Sequence, residues 1–192
     1  LLHTQGGANC AVQYIYGDPL LLLGDWFRQL WAESLAKRSK LDGTTGDGVC
    51  LTPIVARGTT DQHSQNQLYM EGPDDKVYGF VTCEKWPEDP VVLTSGRDLK
   101  IPPELEYLRG RTFGELMEAC RLGTRDALTE LGRPVYEIIL PELSERSIGA
   151  YMQMWMLATA YAGLLYNVNA FDQPGVERSK QLAMERLQSP NR

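Results

Sequence analysis

The stretch "AVQYIYGDPLLLLGDWFRQLWAESLAKRS", residues 11–39, holds a complete strand–turn–helix unit. Residues 11–17 are a short apolar run closed by a glycine, the pattern of a buried strand. Asp18 follows as helix N-cap, and Pro19 takes the first helical position, where its fixed φ and missing N–H are suited. Apolar residues then recur at Leu22, Trp26 and Leu30, followed by Ser34, with Leu23, Phe27 and Trp31 alongside, so one broad face of the helix is buried. The basic "KRSK" at residues 37–40 reads as the helix end, where the macrodipole favours cations. A buried strand feeding an amphipathic helix is the building unit of a parallel sheet.

Outward from this unit, strands and helices alternate. "VCLTPIVA" (49–56) is a strand interrupted by Pro53, "KVYGFVTCE" (76–84) a third and "PVYEIILPE" (134–142) a fourth. Between them "TTDQHSQNQLYMEG" (59–72) reads as a capped helix and "TFGELMEACRLGTRDALTELG" (112–132) as a long amphipathic one stopped by Gly132. "LDGTTGDG" (41–48) is a plain connection, and residues 86–103, rich in Pro, Asp and Gly, form an excursion. A last helix covers residues 174–187. The expected fold is α/β: a layered, mostly parallel, doubly wound sheet with helices on both faces, one domain over residues 1–192.

Composition narrows the function classes. The chain has 192 residues, 43% hydrophobic and 23% charged, as in globular domains. A net charge of −6 with scattered lysines and arginines leaves no basic stripe for a nucleic acid. Residues 148–170 carry no charge and are long enough to span a bilayer, yet they hold Gln153, Thr159, Asn167 and Asn169, so a buried helix is expected and no membrane. Four widely spaced cysteines and two histidines give no metal-ligand spacing. Free thiols point to a cytoplasmic protein. The opening "LLHTQGGANC" has no signal-peptide pattern and reads like the middle of a longer protein. There is no G-x-G-x-x-G after a strand, no P-loop and no G-x-S-x-G, so neither a cofactor nor a metal is expected.

Three features carry chemistry. Glu33 lies seven residues after Trp26, close to the apolar face of its helix. A carboxylate there needs either a partner, with Lys37 four residues on as the simple one, or a purpose as a base. His63 stands in a polar setting of hydroxyls, carboxamides and Asp61, either as a surface histidine near a helix cap or as a proton-transfer group. "FDQPGVERSK" (171–180) combines a turn, a helix start and Lys180.

Residue by residue, "FDQPGVERSK" resembles the C-terminal signature of the glucose-6-phosphate isomerase (phosphoglucose isomerase) family: aromatic, Asp or Asn, Gln, any residue, Gly-Val-Glu, two residues, Lys. "QLWAESLAK" resembles the family's E-S-x-G-K helix motif, and "TTDQHSQNQ" its T-D-x-H-S-x-x-Q segment, all in family order. Ala36 departs from the pattern, which has glycine before the lysine. The resemblance implies a C-terminal sugar-isomerase (SIS) domain of a longer two-domain, homodimeric enzyme of glycolysis and gluconeogenesis, acting on a sugar phosphate. It implies that Glu33 is the base, that Lys180 and His63 serve ring opening, and that Gln173 faces the sugar. The family's phosphate loop and catalytic arginine have no counterpart here, so the chain by itself is expected to be inactive. The alternatives are a non-catalytic sugar-phosphate-binding module, or the isomerase part of a fusion with transaldolase.

Overall fold

The computed structural model describes residues 6–92 and 101–188; the opening residues 1–5 and part of the excursion, 93–100, lie outside the described residues. Strand β1 (Cys10–Tyr16) is flanked by β4 (Thr52–Gly58) and β5 (Lys76–Cys83), and β6 (Val135–Leu140) lies outside β5. All three pairings are parallel, giving the order β4-β1-β5-β6. The central strands are buried along almost their whole length, which is why they read as apolar runs without alternation. Pro53 is tolerated because β4 is an edge strand.

Strand geometry sends alternate side chains to opposite layers. Val12, Tyr14 and Tyr16 join Tyr69, Tyr78, Phe80 and Leu128 beneath α2 (Asn66–Glu71) and α3 (Phe113–Glu130). Ile15 joins Leu20, Leu23, Val81 and Tyr151 beneath α1 (Leu21–Leu35) and α4 (Glu145–Tyr166). The chain is therefore doubly wound, as expected. Gly24 lets α1 lie close on the sheet: a Cβ there would meet Val55 at 2.8 Å. The start of α3 is a capping box, with Thr112 Oγ1 accepting from the Glu115 amide at 3.1 Å and Glu115 Oε2 from the Thr112 amide at 2.9 Å.

Four local expectations are corrected. Helix α1 ends at Leu35, and Lys37–Ser39 forms strand β2, paired antiparallel with β3 (Thr45–Val49) from the supposed plain connection. Asp18 is no cap: it opens a 3₁₀ turn, Asp18–Leu20, and pairs with Arg57 at the end of β4. The helix expected from Thr59 starts at Asn66, because Asp61 ties the preceding turn by accepting from the Arg57 amide and Ser64 Oγ, both at 2.6 Å. Helix α4 is covered on one side alone; Met154, Leu157, Tyr161, Leu164 and Leu165 are exposed. The last helix, α5 (Glu177–Gln188), follows a 3₁₀ turn at Pro174–Val176. No helix among the described residues is long and apolar enough to cross a membrane.

Arg121 fastens α3 to the edge strand. Its buried guanidinium donates to both Glu118 oxygens, at 2.7 and 2.6 Å, and to Glu137 on β6. The Arg121 contact holds the Glu118 carboxyl below its ordinary range. A carboxyl with a lowered native pKa stabilises the fold above the usual carboxylate range, and that contribution is lost as pH falls through the native value. Arg121→Met is therefore expected to cost about 2 kcal/mol near neutral pH, with the gap to wild type closing below about pH 4. Urea unfolding of both proteins at the two pH values checks this; a gap independent of pH would refute it.

Candidate active site

Helix α1 runs antiparallel to the strands. The Asp18–Arg57 pair places its start by the carboxyl end of β4, and Trp31 Nε1 donates to the Leu51 carbonyl, just before β4, at 3.1 Å. Glu33, in the last turn of the helix, therefore stands at the amino edge of the sheet. Its side chain is half-buried. Gln29, one turn back, donates to Glu33 Oε2 at 3.4 Å, and Gln173 Nε2, from the far end of the chain, donates to the same oxygen at 3.0 Å. Oε1 accepts no hydrogen bond among the described residues. A carboxylate steered through one oxygen with the other open is arranged as a proton acceptor.

The simple partner, Lys37, does not bond this carboxylate. Its Nζ donates to the backbone carbonyls of Glu33 at 2.6 Å and Ser34 at 2.9 Å, and lies 3.8 Å from Asp172 Oδ1. The loop carrying Gln173 is shaped locally. Asn167, left-handed at φ 59°, ends α4, while Asn169 Oδ1 accepts from the Phe171 amide at 3.0 Å and Asn169 Nδ2 donates to Asp172 at 2.9 Å. Glu33 and Gln173, both singled out in the sequence, are thus in contact across 140 residues.

Lys180 and His63 stand elsewhere. Lys180 lies on the exposed first turn of α5, its Nζ donating to Glu177 Oε1 at 2.8 Å. His63 is exposed at the end of the 3₁₀ turn Thr60–Gln62, beyond the carboxyl end of β4. Its imidazole makes no hydrogen bond or ion pair among the described residues. The seven residues of β4 lie between the two levels, which puts His63 roughly 20 Å from Glu33 along the strand direction. One chain does not bring these two groups together.

A doubly wound sheet commonly uses the carboxyl edge, at the switch between β1 and β5. A cleft of about 710 Å³ opens on that edge at the ends of β5 and β6, lined by Cys83, Trp86, Ile139 and the carboxylates Glu84, Asp89, Glu115 and Glu118. That acidic lining repels an anionic ligand, so the Glu33–Gln173 pair is the better candidate. Among the described residues no group of three or more His, Cys, Asp or Glu is placed to hold a metal ion. The four cysteines are free, and burial pushes the Cys50 thiol up to about 11, away from nucleophile chemistry.

Comparison with known proteins identifies relatives of the chain. A family model described as phosphoglucose isomerase matches residues 123–192, which include Gln173 and Lys180. A glucose-6-phosphate isomerase of Rubrobacter xylanophilus is 45% identical over 190 residues, 99% of this chain and 41% of that protein. The chain belongs to the phosphoglucose isomerase family. A second member, a glucose-6-phosphate isomerase of Thermus thermophilus, is 41% identical over 97% of this chain and 43% of its own length. A crystal structure of a hypothetical protein from that same organism superposes with a TM-score of 0.88 at 39% identity, covering 98% of this chain and 43% of the other. A glucose-6-phosphate isomerase structure from Chlamydia trachomatis shares the fold, with a TM-score of 0.77 at 19% identity, over 94% of this chain and 35% of the other. The chain thus spans roughly two fifths of the relatives it matches.

The residues that the sequence reading missed are Gln29 and Asn169. Gln29 had a signal, since it precedes Glu33 by four positions on one helix face. Asn169 shapes its turn through local bonds to Phe171 and Asp172, but the reach of that turn to the helix end, Asp172 to Lys37 and Gln173 to Glu33, spans more than 100 residues, where no local pattern reports.

Proposed function

We propose that this chain is the C-terminal SIS-type part of a cytoplasmic glucose-6-phosphate isomerase, which interconverts glucose 6-phosphate and fructose 6-phosphate through an enediolate. The observation that carries the reading is the half-buried Glu33 carboxylate, held on one oxygen by Gln29 and Gln173 and open on the other. An aldose–ketose exchange needs one group that takes the proton from C2 and returns it to C1, and a carboxylate does both. Gln173 orients that carboxylate and faces the sugar beside it.

Lys180 supplies positive charge to the oxygen that becomes an enediolate. It first has to leave Glu177, but both side chains are 63% exposed, and a pair so exposed costs little to open. His63 serves ring opening. Standing at the opposite edge of the sheet, it meets the Glu33 of another subunit rather than its own, so the working enzyme is a homodimer.

The test is conversion of fructose 6-phosphate to glucose 6-phosphate by the full-length protein, with Lys180→Ala alongside. Wild type should turn over, and Lys180→Ala should be slower by about a hundredfold with unchanged folding. No conversion by the full-length protein would overturn the isomerase reading. A Lys180→Ala variant at the wild-type rate would remove that lysine from the chemistry.

A further inference from the structure

The buried ammonium of Lys37 is used by no step above. Its side chain is 6% exposed, and an ammonium so buried requires partners on every side. Two are the carbonyls of Glu33 and Ser34 in the last turn of α1, groups that a helix end leaves without intrahelical donors. The third is Asp172, 3.8 Å away on the loop that carries Gln173. Gln173 in turn donates to the carboxylate of Glu33 at 3.0 Å. The contacts close a circuit: Glu33 backbone, Lys37, Asp172, Gln173, Glu33 carboxylate. The hairpin that Lys37 opens braces the same loop a second time, with the Leu41 amide donating to the Asn167 carbonyl and Asn167 Nδ2 to Asp42, both at 2.8 Å.

We infer that Lys37 is a positioning residue: it locks the end of helix α1 to the 169–173 loop and so fixes the Glu33 carboxylate against Gln173 for proton transfer. The inference rests on the reading of Glu33 as the base. Its chemical logic is that of orientation, since a misplacement of about 1 Å in a reacting group costs on the order of a hundredfold in rate. Losing one tether of several should move the carboxylate by less than that.

The experiment is a double-mutant cycle in the full-length protein, with Lys37→Met made in wild type and in Glu33→Gln. Lys37→Met alone should lower kcat about 10- to 30-fold while KM for fructose 6-phosphate changes by less than about twofold. In the Glu33→Gln background it should cause no further loss, because the group it positions is gone. A folded Lys37→Met protein with wild-type kcat, or the same fold loss in both backgrounds, overturns the inference; a merely structural lysine lowers the melting temperature and leaves that cycle additive. If Lys37→Met does not fold, Asp172→Ala decides, since Asp172 is half exposed and removing its side chain breaks the circuit at one point. An Asp172→Ala kcat equal to wild type then overturns it. Glu33→Gln alone reports separately on the base: an undiminished rate there refutes the reading of Glu33 itself.

Discussion

Glu33→Gln in the full-length protein is expected to lower isomerisation by roughly two to four decades, the range set by loss of a general base. Sugar-phosphate affinity should stay near wild type, because the substitution keeps the shape of the side chain and an acceptor for Gln173 and Gln29. On the proposed reading of Glu33 as the base, exchange of the C2 proton with deuterated solvent should disappear together with turnover. The fold gives little room for another account. If Glu33 merely paired with Lys37, the substitution would cost no more than about 0.5 kcal/mol of stability and leave catalysis alone. Yet Lys37 bonds the Glu33 backbone carbonyl and leaves the carboxylate to the two glutamines. A Glu33→Gln enzyme that exchanges the C2 proton at the native rate would send the search for the base to the rest of the protein.

The parts of this structure that were legible in the sequence are those that depend on neighbours a few residues away. Strands β1 and β5 announce themselves as apolar runs because both faces are covered, and Thr112 with Glu115 announces the start of α3. The end of α1 was not legible. Lys37 to Ser39 form a strand because β3 pairs with them, and β3 is drawn from a glycine-rich run with no alternation to read. Its basic residues suit a helix end too, and Lys37 does serve one, but by reaching back to the last turn as the chain leaves it. Helix α4 misled for another reason. Absence of charge signals a helix that avoids water, and it says nothing of whether its own domain or another surface does the covering, so Tyr161, Leu164 and Leu165 stand exposed where burial was expected. In the candidate site the residue types were visible, while the hydrogen bond between Glu33 and Gln173 spans 140 residues and belongs to tertiary structure.

His63 gives the sharpest test of how the sites are assembled. His63→Gln should lower turnover by about two to four decades if the imidazole moves a proton in ring opening. Glu33→Gln should do the same, and a mixture of these two inactive proteins then distinguishes assembly within one chain from assembly between chains. In a two-fold symmetric dimer with shared sites, a mixed dimer carries one site with both residues replaced and one with both intact. Random exchange makes half of the dimers mixed, so the mixture should recover about a quarter of the wild-type rate. The expectation follows from the fold, which holds His63 beyond the carboxyl end of β4 and Glu33 at the amino edge. Exchange has to be verified independently, for example by co-purification through a tag on one variant. Verified mixed dimers without recovered activity would show that His63 does not complete a partner's site. Because its distance from Glu33 excludes their own chain as well, the proton of ring opening would then have to be carried by a different group.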